Sequence, residues 1–184
     1  MLRYVLAAAA VVCVSTSAHA NDISGFRLEA LLGWDNAKLE NVGSKSGFAY
    51  GAGIGYDFPV GETISVGIDG EIMGATTDFE VSDGVDFVRV STGRDIYVGG
   101  RITGKVADRV ALYAKAGYSN ARLELESSVT GLENVGGNGD GFRLGGGAQF
   151  LLGEKAYVGA EYRYTNYEAD LIRHQILATF GYRF

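Results

Sequence analysis

The last eleven residues of the 184-residue chain, 174–184, alternate between two kinds of side chain. One set is apolar and becomes aromatic towards the end, and the intervening set is mostly small or polar. The first set is Ile176, Ala178, Phe180, Tyr182 and Phe184, and the second is Gln175, Leu177, Thr179, Gly181 and Arg183. A period of two places consecutive side chains on opposite faces of a β-strand. An apolar face opposite a polar face is what a strand needs between lipid and the lumen of a barrel.

Seven further segments of the chain alternate in the same way. They run over about 24–36, 47–58, 63–76, 93–104, 110–124, 141–152 and 156–167. Each is at least as long as the roughly 9–11 residues that a tilted strand needs to cross a bilayer. Eight such segments predict an all-β fold, an eight-stranded antiparallel up-and-down transmembrane β-barrel.

The connections between these segments alternate in length. Short turns are expected at 59–62, 105–109 and 153–155, and longer polar loops at 37–46, 77–92, 125–140 and 168–173. Transmembrane barrels of bacteria keep their short turns on the periplasmic side and their long loops outside. The sequence therefore predicts that both termini lie in the periplasm.

Aromatic side chains provide a second indication of this orientation, because they fall near the two ends of the strands, where interfacial girdles lie. The outer girdle would contain Trp34, Phe48, Tyr50, Tyr118, Phe142, Tyr162 and Tyr164. The inner girdle would contain Phe26, Tyr56, Phe58, Phe150, Tyr182 and Phe184. The alternative is a soluble β-sandwich or lipocalin-like barrel, which also alternates but turns its apolar face inwards.

The first twenty residues, 1–20, have the pattern of a secretory signal peptide. Arg3 supplies the positive start, residues 5–14 form an apolar run, and the segment ends in an Ala-x-Ala cleavage motif. The apolar run is too short for a membrane-spanning helix. We therefore expect cleavage of 1–20 and a mature barrel domain over 21–184, without the only cysteine, Cys13.

Charged residues occupy the face opposite the apolar one in most of the predicted strands. They are Arg27, Glu29, Asp69, Glu71, Asp95, Arg101, Lys115, Arg143, Glu161, Arg163 and Arg183. Eight strands enclose only enough space for side chains to fill, so these charges must pair or carry a large desolvation cost. The near balance of signs predicts an ion-pair network that acts as a structural plug or gates a conducting path. Glycines on the same face, at 51, 53, 55, 99, 145 and 147, should leave room for the long Arg and Glu side chains.

Cofactor, metal and nucleic-acid signals are weak. The net charge of −6 argues against a nucleic-acid partner. The stretch 99–106 approaches a phosphate-binding loop but has Val106 where a hydroxyl would hold magnesium. We therefore expect no cofactor and no dedicated metal site. Acidic residues of the second loop are interpreted as solvated, with a loose divalent-cation site as the alternative: Asp78, Glu80, Asp83 and Asp86.

A hydrolytic barrel enzyme would need a nucleophile activated by a base. His174 is the only histidine of the predicted mature domain, and its neighbours in the last segment include no serine on the same face. We therefore predict that the protein is not an enzyme and that His174 is a residue of the outer rim.

The ending Tyr182-Arg183-Phe184 resembles the closing strand of bacterial outer-membrane β-barrels. In those proteins the closing strand is read by the outer-membrane assembly machinery, which would make Phe180, Tyr182 and Phe184 the assembly signal. The whole mature chain resembles the small eight-stranded barrels of Gram-negative bacteria, namely the outer-membrane protein A transmembrane domain, its X-type relatives and the opacity-type, porin-family surface proteins.

This resemblance implies a monomer in the outer membrane. Its partners would be outer-membrane lipids and lipopolysaccharide, and during biogenesis the assembly machinery and periplasmic chaperones. The wall-tethering role of larger relatives is not expected, because no peptidoglycan-binding domain follows residue 184.

Proteins of this kind are porin-like, adhesive or structural, and the fold does not choose among these roles. We expect a structural role in envelope integrity together with display of surface loops. There are two alternatives. The protein is either a narrow porin-like diffusion channel for small solutes or an adhesin that binds host surfaces through its outer loops. A lipid-modifying barrel hydrolase is a remote third alternative. Basic residues near the outer rim are expected to contact lipopolysaccharide phosphates: Lys38, Lys45, Arg89, Arg94, Arg122 and Arg173.

Overall fold

The computed structural model describes residues 23–39, 43–82, 87–127, 135–168 and 171–184, with 78–92 and 123–136 described by their backbone where they lie in strands. The predicted signal peptide lies outside this range. Within the range, no helix is long and apolar enough to cross a membrane.

The described chain forms nine β-strands. They are β1 (Gly25–Leu39), β2 (Gly43–Pro59), β3 (Ile64–Ala75), β4 (Asp78–Ser82), β5 (Phe87–Ala107), β6 (Val110–Ser127), β7 (Val135–Leu151), β8 (Ala156–Tyr167) and β9 (Leu171–Arg183). Eight of them form an antiparallel ring in the order β3-β2-β1-β9-β8-β7-β6-β5, which a β3–β5 pairing closes. The predicted eight-stranded up-and-down barrel is therefore confirmed.

β4 does not belong to the ring. It follows a break at residues 76–77 and pairs with the first part of β5. Between Thr92 and Asp95, β5 contains one residue more than the facing stretch of β6, which is a β-bulge. The β3–β5 ladder ends at Met73 and Asp95, whereas β3 stays paired with β2 as far as Ala75. The ring is therefore locally open between β3 and β5 at that level.

Both described ends of the chain, at 23 and 184, and the short connections at 60–63, 108–109 and 152–155 lie at one end of the barrel, here called the proximal end. The opposite end is called the distal end. The predicted short turns are confirmed in position. The turn at 60–63 is closed by the Val60 N–H, which donates to the Ile64 carbonyl at 2.7 Å.

The strands reach further at the distal end than the sequence pattern predicted. Much of the predicted polar loops at 37–46, 77–92, 125–140 and 168–173 belongs to strands, so the predicted strand ends were wrong there. The physical reason is that a backbone leaving the membrane still needs hydrogen-bond partners, which a continued ladder supplies without any apolar face. Strand propensity in water does not require the lipid-facing alternation from which the segments were predicted.

The barrel wall is apolar outside and polar inside. Large hydrophobic side chains along the outer wall, among them Ile68 and Phe180, are 36–64% exposed. By contrast, Arg143 and Arg163 are fully buried inside. A soluble β-sandwich or lipocalin-like barrel would bury the first group and expose the second. The distribution is that of a barrel surrounded by lipid.

The last strand closes the barrel against the first. β9 pairs with β1 along its length, and the Phe184 N–H donates to the Phe26 carbonyl at 2.9 Å. The Phe184 ring lies 5.7 Å from the Phe26 ring and 5.0 Å from the Tyr182 ring, centroid to centroid. At the same end Ile23 is fully buried, and its carbonyl accepts a hydrogen bond from Ser65 Oγ at 3.0 Å.

Candidate functional site

The lumen collects charged side chains from every strand of the ring. All eleven residues that the sequence pattern placed on the inner faces lie there, each at most 5% exposed, and Asp35, Asp57 and Arg173 join them. The alternation places Asp35 and Asp57 on the inner face as well, although they are not among the predicted lumen charges, whereas Arg173 falls in the predicted outer loop at 168–173. With these three, the described lumen holds seven acidic and seven basic residues, so their formal charges cancel.

Arg27 organises the proximal part of the lumen. Its Nε donates to Asp57 Oδ2 and its Nη1 to Glu29 Oε2, both at 2.9 Å, and its Nη2 donates to Asp69 Oδ1. One guanidinium therefore joins carboxylates from β1, β2 and β3. Arg183, from β9, adds a second cation, with Nη2 at 3.7 Å from Asp57 Oδ2.

Two carboxylates, Glu71 and Glu161, share their cations in the central part. Lys115 Nζ donates to Glu71 Oε1 and lies 2.7 Å from Glu161 Oε1. Arg163 donates from Nη2 to Glu71 Oε1 at 3.0 Å and from Nε to Glu161 Oε1. Because each cation serves both carboxylates, the four side chains form a closed cycle that joins β3, β6 and β8.

Asp35 and Asp95 hold the distal part together. Arg173 donates to Asp35 twice, from Nε to Oδ1 at 2.6 Å and from Nη2 to Oδ2 at 3.1 Å. Thr77, at the break between β3 and β4, donates from Oγ1 to Asp35 Oδ2 at 2.5 Å. Asp95 Oδ2 accepts from Arg143 Nη2 and, at 3.4 Å, from Arg173 Nη1. Arg143 also lies near the central cycle, so the two groups are continuous.

Buried tyrosines complete the hydrogen bonding of the carboxylates. The hydroxyls of Tyr113, Tyr157 and Tyr167 donate to Glu161, Glu29 and Asp95 at 2.6, 2.7 and 2.8 Å. The guanidinium of Arg101, which donates to Glu29 at 3.2 Å, stacks with its Cζ 3.6 Å from the centre of the Tyr113 ring. These contacts connect the proximal group to the central cycle.

Glycines of the inner face make room for rings as well as for charged side chains. A Cβ at Gly55 would lie 2.5 Å from Nη2 of Arg27, as the sequence reasoning expected of these glycines. A Cβ at Gly181 would lie 2.0 Å from Cζ of Tyr157 on the neighbouring strand β8, whereas a Cβ at Gly99 would meet a tyrosine ring of its own strand. A glycine facing an aromatic ring of the neighbouring strand is a recurrent stabilising device in sheets.

An apolar cluster fills one side of the lumen between the central and distal groups. It consists of Leu31, Ala49, Met73 and Leu177, each at most 2% exposed. On β1, Leu31 lies between Glu29 and Asp35. The cluster offers no hydrogen-bond partner to a passing ion, so it adds to the desolvation cost of any path along this wall.

The aromatic residues predicted as girdles all lie on the outer wall. Four outward-facing residues towards the distal end are in register across neighbouring strands: Tyr162, Ile176, Trp34 and Phe48. Most of the predicted set is about half exposed, and Tyr56 and Tyr164 are half-buried.

The distal end also carries the basic residues expected near the outer rim. Lys38, Lys45, Arg94 and Arg122 are exposed there. Arg173 is not, because it points into the lumen and binds Asp35, and its assignment to the rim was wrong. The side chain of the sixth, Arg89, lies outside the described part of the chain.

Three solved structures share this architecture. Ail, the attachment invasion locus protein of Yersinia pestis, is 16% identical with a TM-score of 0.61, over 88% of this chain and 99% of that one. Neisserial surface protein A (NspA) is 16% identical with a TM-score of 0.64, over 88% and 98%. The N-terminal β-barrel domain of Pseudomonas aeruginosa OprF is 13% identical with a TM-score of 0.50, over 88% and 99%. At such identities these similarities show the fold alone.

The sequence settles the family. Residues 5–184 match the family described as outer membrane protein beta-barrel domain. The chain belongs to this family. No curated protein sequence matches it. Membership makes the protein an outer-membrane β-barrel and places it in that membrane.

In this outer-membrane barrel, His174 lies on the outer wall towards the distal end. Its Nδ1 is 2.7 Å from the Tyr162 hydroxyl, and its ring meets the Tyr164 ring edge-on with centroids 5.4 Å apart. The structure therefore places His174 among rim aromatics.

The described part of the barrel contains no cluster of three or more His, Cys, Asp or Glu side chains that could hold a metal ion. Two members of the loose cation site considered above, Asp83 and Asp86, lie outside the described residues, as do the side chains of Asp78 and Glu80. The stretch 99–106 that approaches a phosphate-binding loop lies within β5, and a register shift against β6 occurs at its end, between Lys105 and Ala107.

Proposed function

We propose that this outer-membrane barrel is a non-enzymatic structural protein with a closed lumen, which supports the envelope and displays its distal strands outside the cell. The observation that carries the proposal is the charge-balanced lumen. Its seven acidic and seven basic side chains come from all eight strands of the ring and bind one another. The charged side chains that could take part in a reaction are bound to one another and stabilise the barrel wall.

The proposed orientation has the proximal end in the periplasm. Short connections at that end and extended strands at the other follow the rule for bacterial barrels. The pattern of a cleavable signal peptide at 1–20 supports export to that compartment.

A diffusion channel is the weaker alternative. An ion entering the lumen would have to separate pairs such as Arg173–Asp35, and leaving one buried partner uncompensated costs about 3–5 kcal/mol. Deeper in the lumen than the Arg173–Asp35 pair lies the central cycle, in which each cation is shared by two carboxylates: Glu71, Lys115, Glu161 and Arg163. Opening a path therefore requires several buried contacts to break together.

Conductance in a planar bilayer tests the closed lumen. The mature protein is refolded, folding is verified by the mobility shift between boiled and unboiled samples, and single-channel currents are recorded. We expect silence from the parent and discrete steps from an Arg143→Ala/Asp95→Ala variant, which removes one ion pair of the distal group. Steady ohmic steps from the folded parent that change with Arg143→Glu or Glu161→Gln would make the protein a channel.

The non-enzymatic assignment has its own test. His174 is replaced by Ala, and lipid A from cells carrying either protein is profiled by mass spectrometry. We expect identical profiles because the histidine binds rim tyrosines. A modified lipid A species that depends on His174 would overturn the assignment.

We further propose that the barrel is monomeric and reaches the membrane through periplasmic chaperones and the assembly machinery, with Phe180, Tyr182 and Phe184 as the recognised signal. Their exposure on the outer wall at the proximal end supports this role. Lipopolysaccharide phosphates are the proposed partners of the exposed cations Lys38 and Lys45 and of their neighbours at the distal end.

Adhesion is a second candidate, favoured by one observation. β5, β6 and β7 remain paired beyond the level where the ring is complete, and β4 adds a further strand to them. This four-stranded distal sheet would stand clear of the membrane. Ail is named as an attachment invasion locus protein. For this chain, the deciding measurement is the attachment of cells with and without the distal sheet to a host surface.

A further inference from the structure

A groove runs along the outer wall where the ring is locally open. It lies between β3 and β5, just beyond the last rung at Met73 and Asp95, where β2 and β3 remain paired and the bulge of β5 begins. Its volume is about 650 Å³. Cavities of about 300–1,000 Å³ are typical of sites for small molecules.

The groove has a floor of small residues and walls of large apolar ones. Gly74, Ala75 and Gly93 form the floor, and Leu32, Tyr50 and Ile72, each about half exposed, stand around it. A Cβ at Gly74 would lie 3.0 Å from Cζ of Tyr50, so the tyrosine ring lies directly over this glycine. Because the floor residues have no side chain or only a methyl group, the wall is concave here.

Among the described residues that line the groove, Arg94 is the one with a charged side chain. It is exposed, and no ion pair or hydrogen bond of its side chain occurs within the part of the chain that the structure describes. It belongs to the bulge of β5 and lies at the distal margin, while Ala52 and Ile72 extend the groove towards the proximal end. The site is therefore apolar along its length and cationic at its distal margin.

We propose that this groove binds lipopolysaccharide, with one acyl chain between Tyr50 and Ile72 and one lipid A phosphate at Arg94. The groove opens on the lipid-facing wall, so its occupant is a lipid. Arg94 complements an anionic headgroup, and a planar guanidinium suits phosphate oxygens. The choice of an outer-leaflet lipid rests on the proposed orientation, in which the distal end faces outwards.

The chain contains its own reporter for this site. Trp34 is its only tryptophan and lies on the outer face of β1, two residues from Leu32, which is about 7 Å along a strand. The folded mature protein is placed in bilayers of brominated phosphatidylcholine, whose bromine quenches tryptophan fluorescence. Unbrominated diphosphoryl lipid A is then added, and recovery of fluorescence measures displacement of the quenching lipid from this wall.

Two substitutions probe the two halves of the site. Arg94→Gln removes the cation, and Ala52→Phe fills the groove. The matched controls are Arg109→Gln, the same change at the proximal end, and Ala116→Phe, the same change on a lipid-facing alanine of β6. The boiled-against-unboiled shift confirms that each variant is folded.

We expect the half-saturating fraction of lipid A to rise about fivefold for Arg94→Gln, since a basic residue near the headgroups contributes about that factor. Ala52→Phe should weaken binding at least as much, and both controls should stay within about twofold of the parent. Dephosphorylated lipid A should bind the parent as weakly as lipid A binds the Arg94→Gln variant.

Parent-like binding by both Arg94→Gln and Ala52→Phe would overturn the site. Equal displacement by phosphatidylglycerol would overturn the assignment to lipopolysaccharide and leave a general anionic-lipid groove. Neither result bears on the conductance experiment, so failure of this inference and failure of the closed-lumen proposal are distinguishable.

Discussion

Arg173 and Asp35 form a two-point contact, Nε to Oδ1 at 2.6 Å and Nη2 to Oδ2 at 3.1 Å, between the last strand of the barrel and the first. Both side chains are at most 3% exposed. Planar, bidentate pairs of this kind combine charge with fixed geometry. The contact therefore stabilises the seam at which the ring closes.

Breaking this pair should destabilise the barrel strongly. Arg173→Gln leaves Asp35 buried with weaker partners, and we expect a loss of about 3–5 kcal/mol in the free energy of unfolding. The Arg173→Gln/Asp35→Asn double variant should lose less than the sum of the two single variants. Urea titrations in phosphatidylcholine vesicles measure all three, with the exposed Lys155→Gln as the control. Additivity within about 0.5 kcal/mol would show that the two residues are not coupled.

A methyl group at Gly181 should lower the free energy of unfolding, because the Tyr157 ring occupies the space that the methyl group would need. The Cβ would lie 2.0 Å from Cζ of Tyr157, whereas a Cβ at Gly104 of β5 would meet no atom within 4 Å. We expect Gly181→Ala to cost about 1–3 kcal/mol of unfolding free energy and Gly104→Ala to be close to neutral. Adding Tyr157→Ala to Gly181→Ala should remove the clash. If Gly104→Ala is as harmful as Gly181→Ala, the ring contact is not the cause.

Phe184 should matter for assembly in cells more than for stability. It is 64% exposed and contacts the Phe26 and Tyr182 rings at the proximal end. We expect Phe184→Ala to lower the amount of folded barrel in the outer membrane severalfold, whereas refolding of the purified chain in detergent stays near normal. Phe58→Ala, on the same wall and 52% exposed, is the control. Equal losses in cells for both variants would contradict a role of the terminal aromatic as a signal.

The hairpin of β4 and the first part of β5 should be dispensable for the fold. β4 pairs with β5 outside the ring, and the β3–β5 ladder that closes the barrel begins only at Asp95. Replacing residues 78–91 by a short Gly-Ser linker should change the free energy of unfolding by less than about 1 kcal/mol in vesicles. A loss of folding would show that the distal sheet supports the ring.

The period of two was sufficient to predict the eight strands of the ring and most of their inner faces, but not their distal extensions or β4. It failed at Arg173 because Leu171 and Ile172 are adjacent apolar residues, so the alternation does not mark where β9 begins. The ion-pair partners in the lumen could not be predicted for a different reason. The central cycle depends on cross-strand register, which local alternation does not contain: Glu71, Lys115, Glu161 and Arg163. The contact between Tyr157 and Gly181 is hidden for the same reason.

The contacts that fill the lumen also constrain the order in which the protein can enter its membrane. Asp35 lies in the first strand, and its partner Arg173 lies 138 residues further along the chain. Tyr157, whose hydroxyl donates to Glu29, lies 128 residues after that glutamate. A first strand inserted by itself would carry the Asp35 carboxylate into hydrocarbon without its cation. Strand-by-strand insertion is therefore disfavoured. We expect the slow step to be the meeting of the two ends of the chain, because closing so long a stretch of chain is entropically costly.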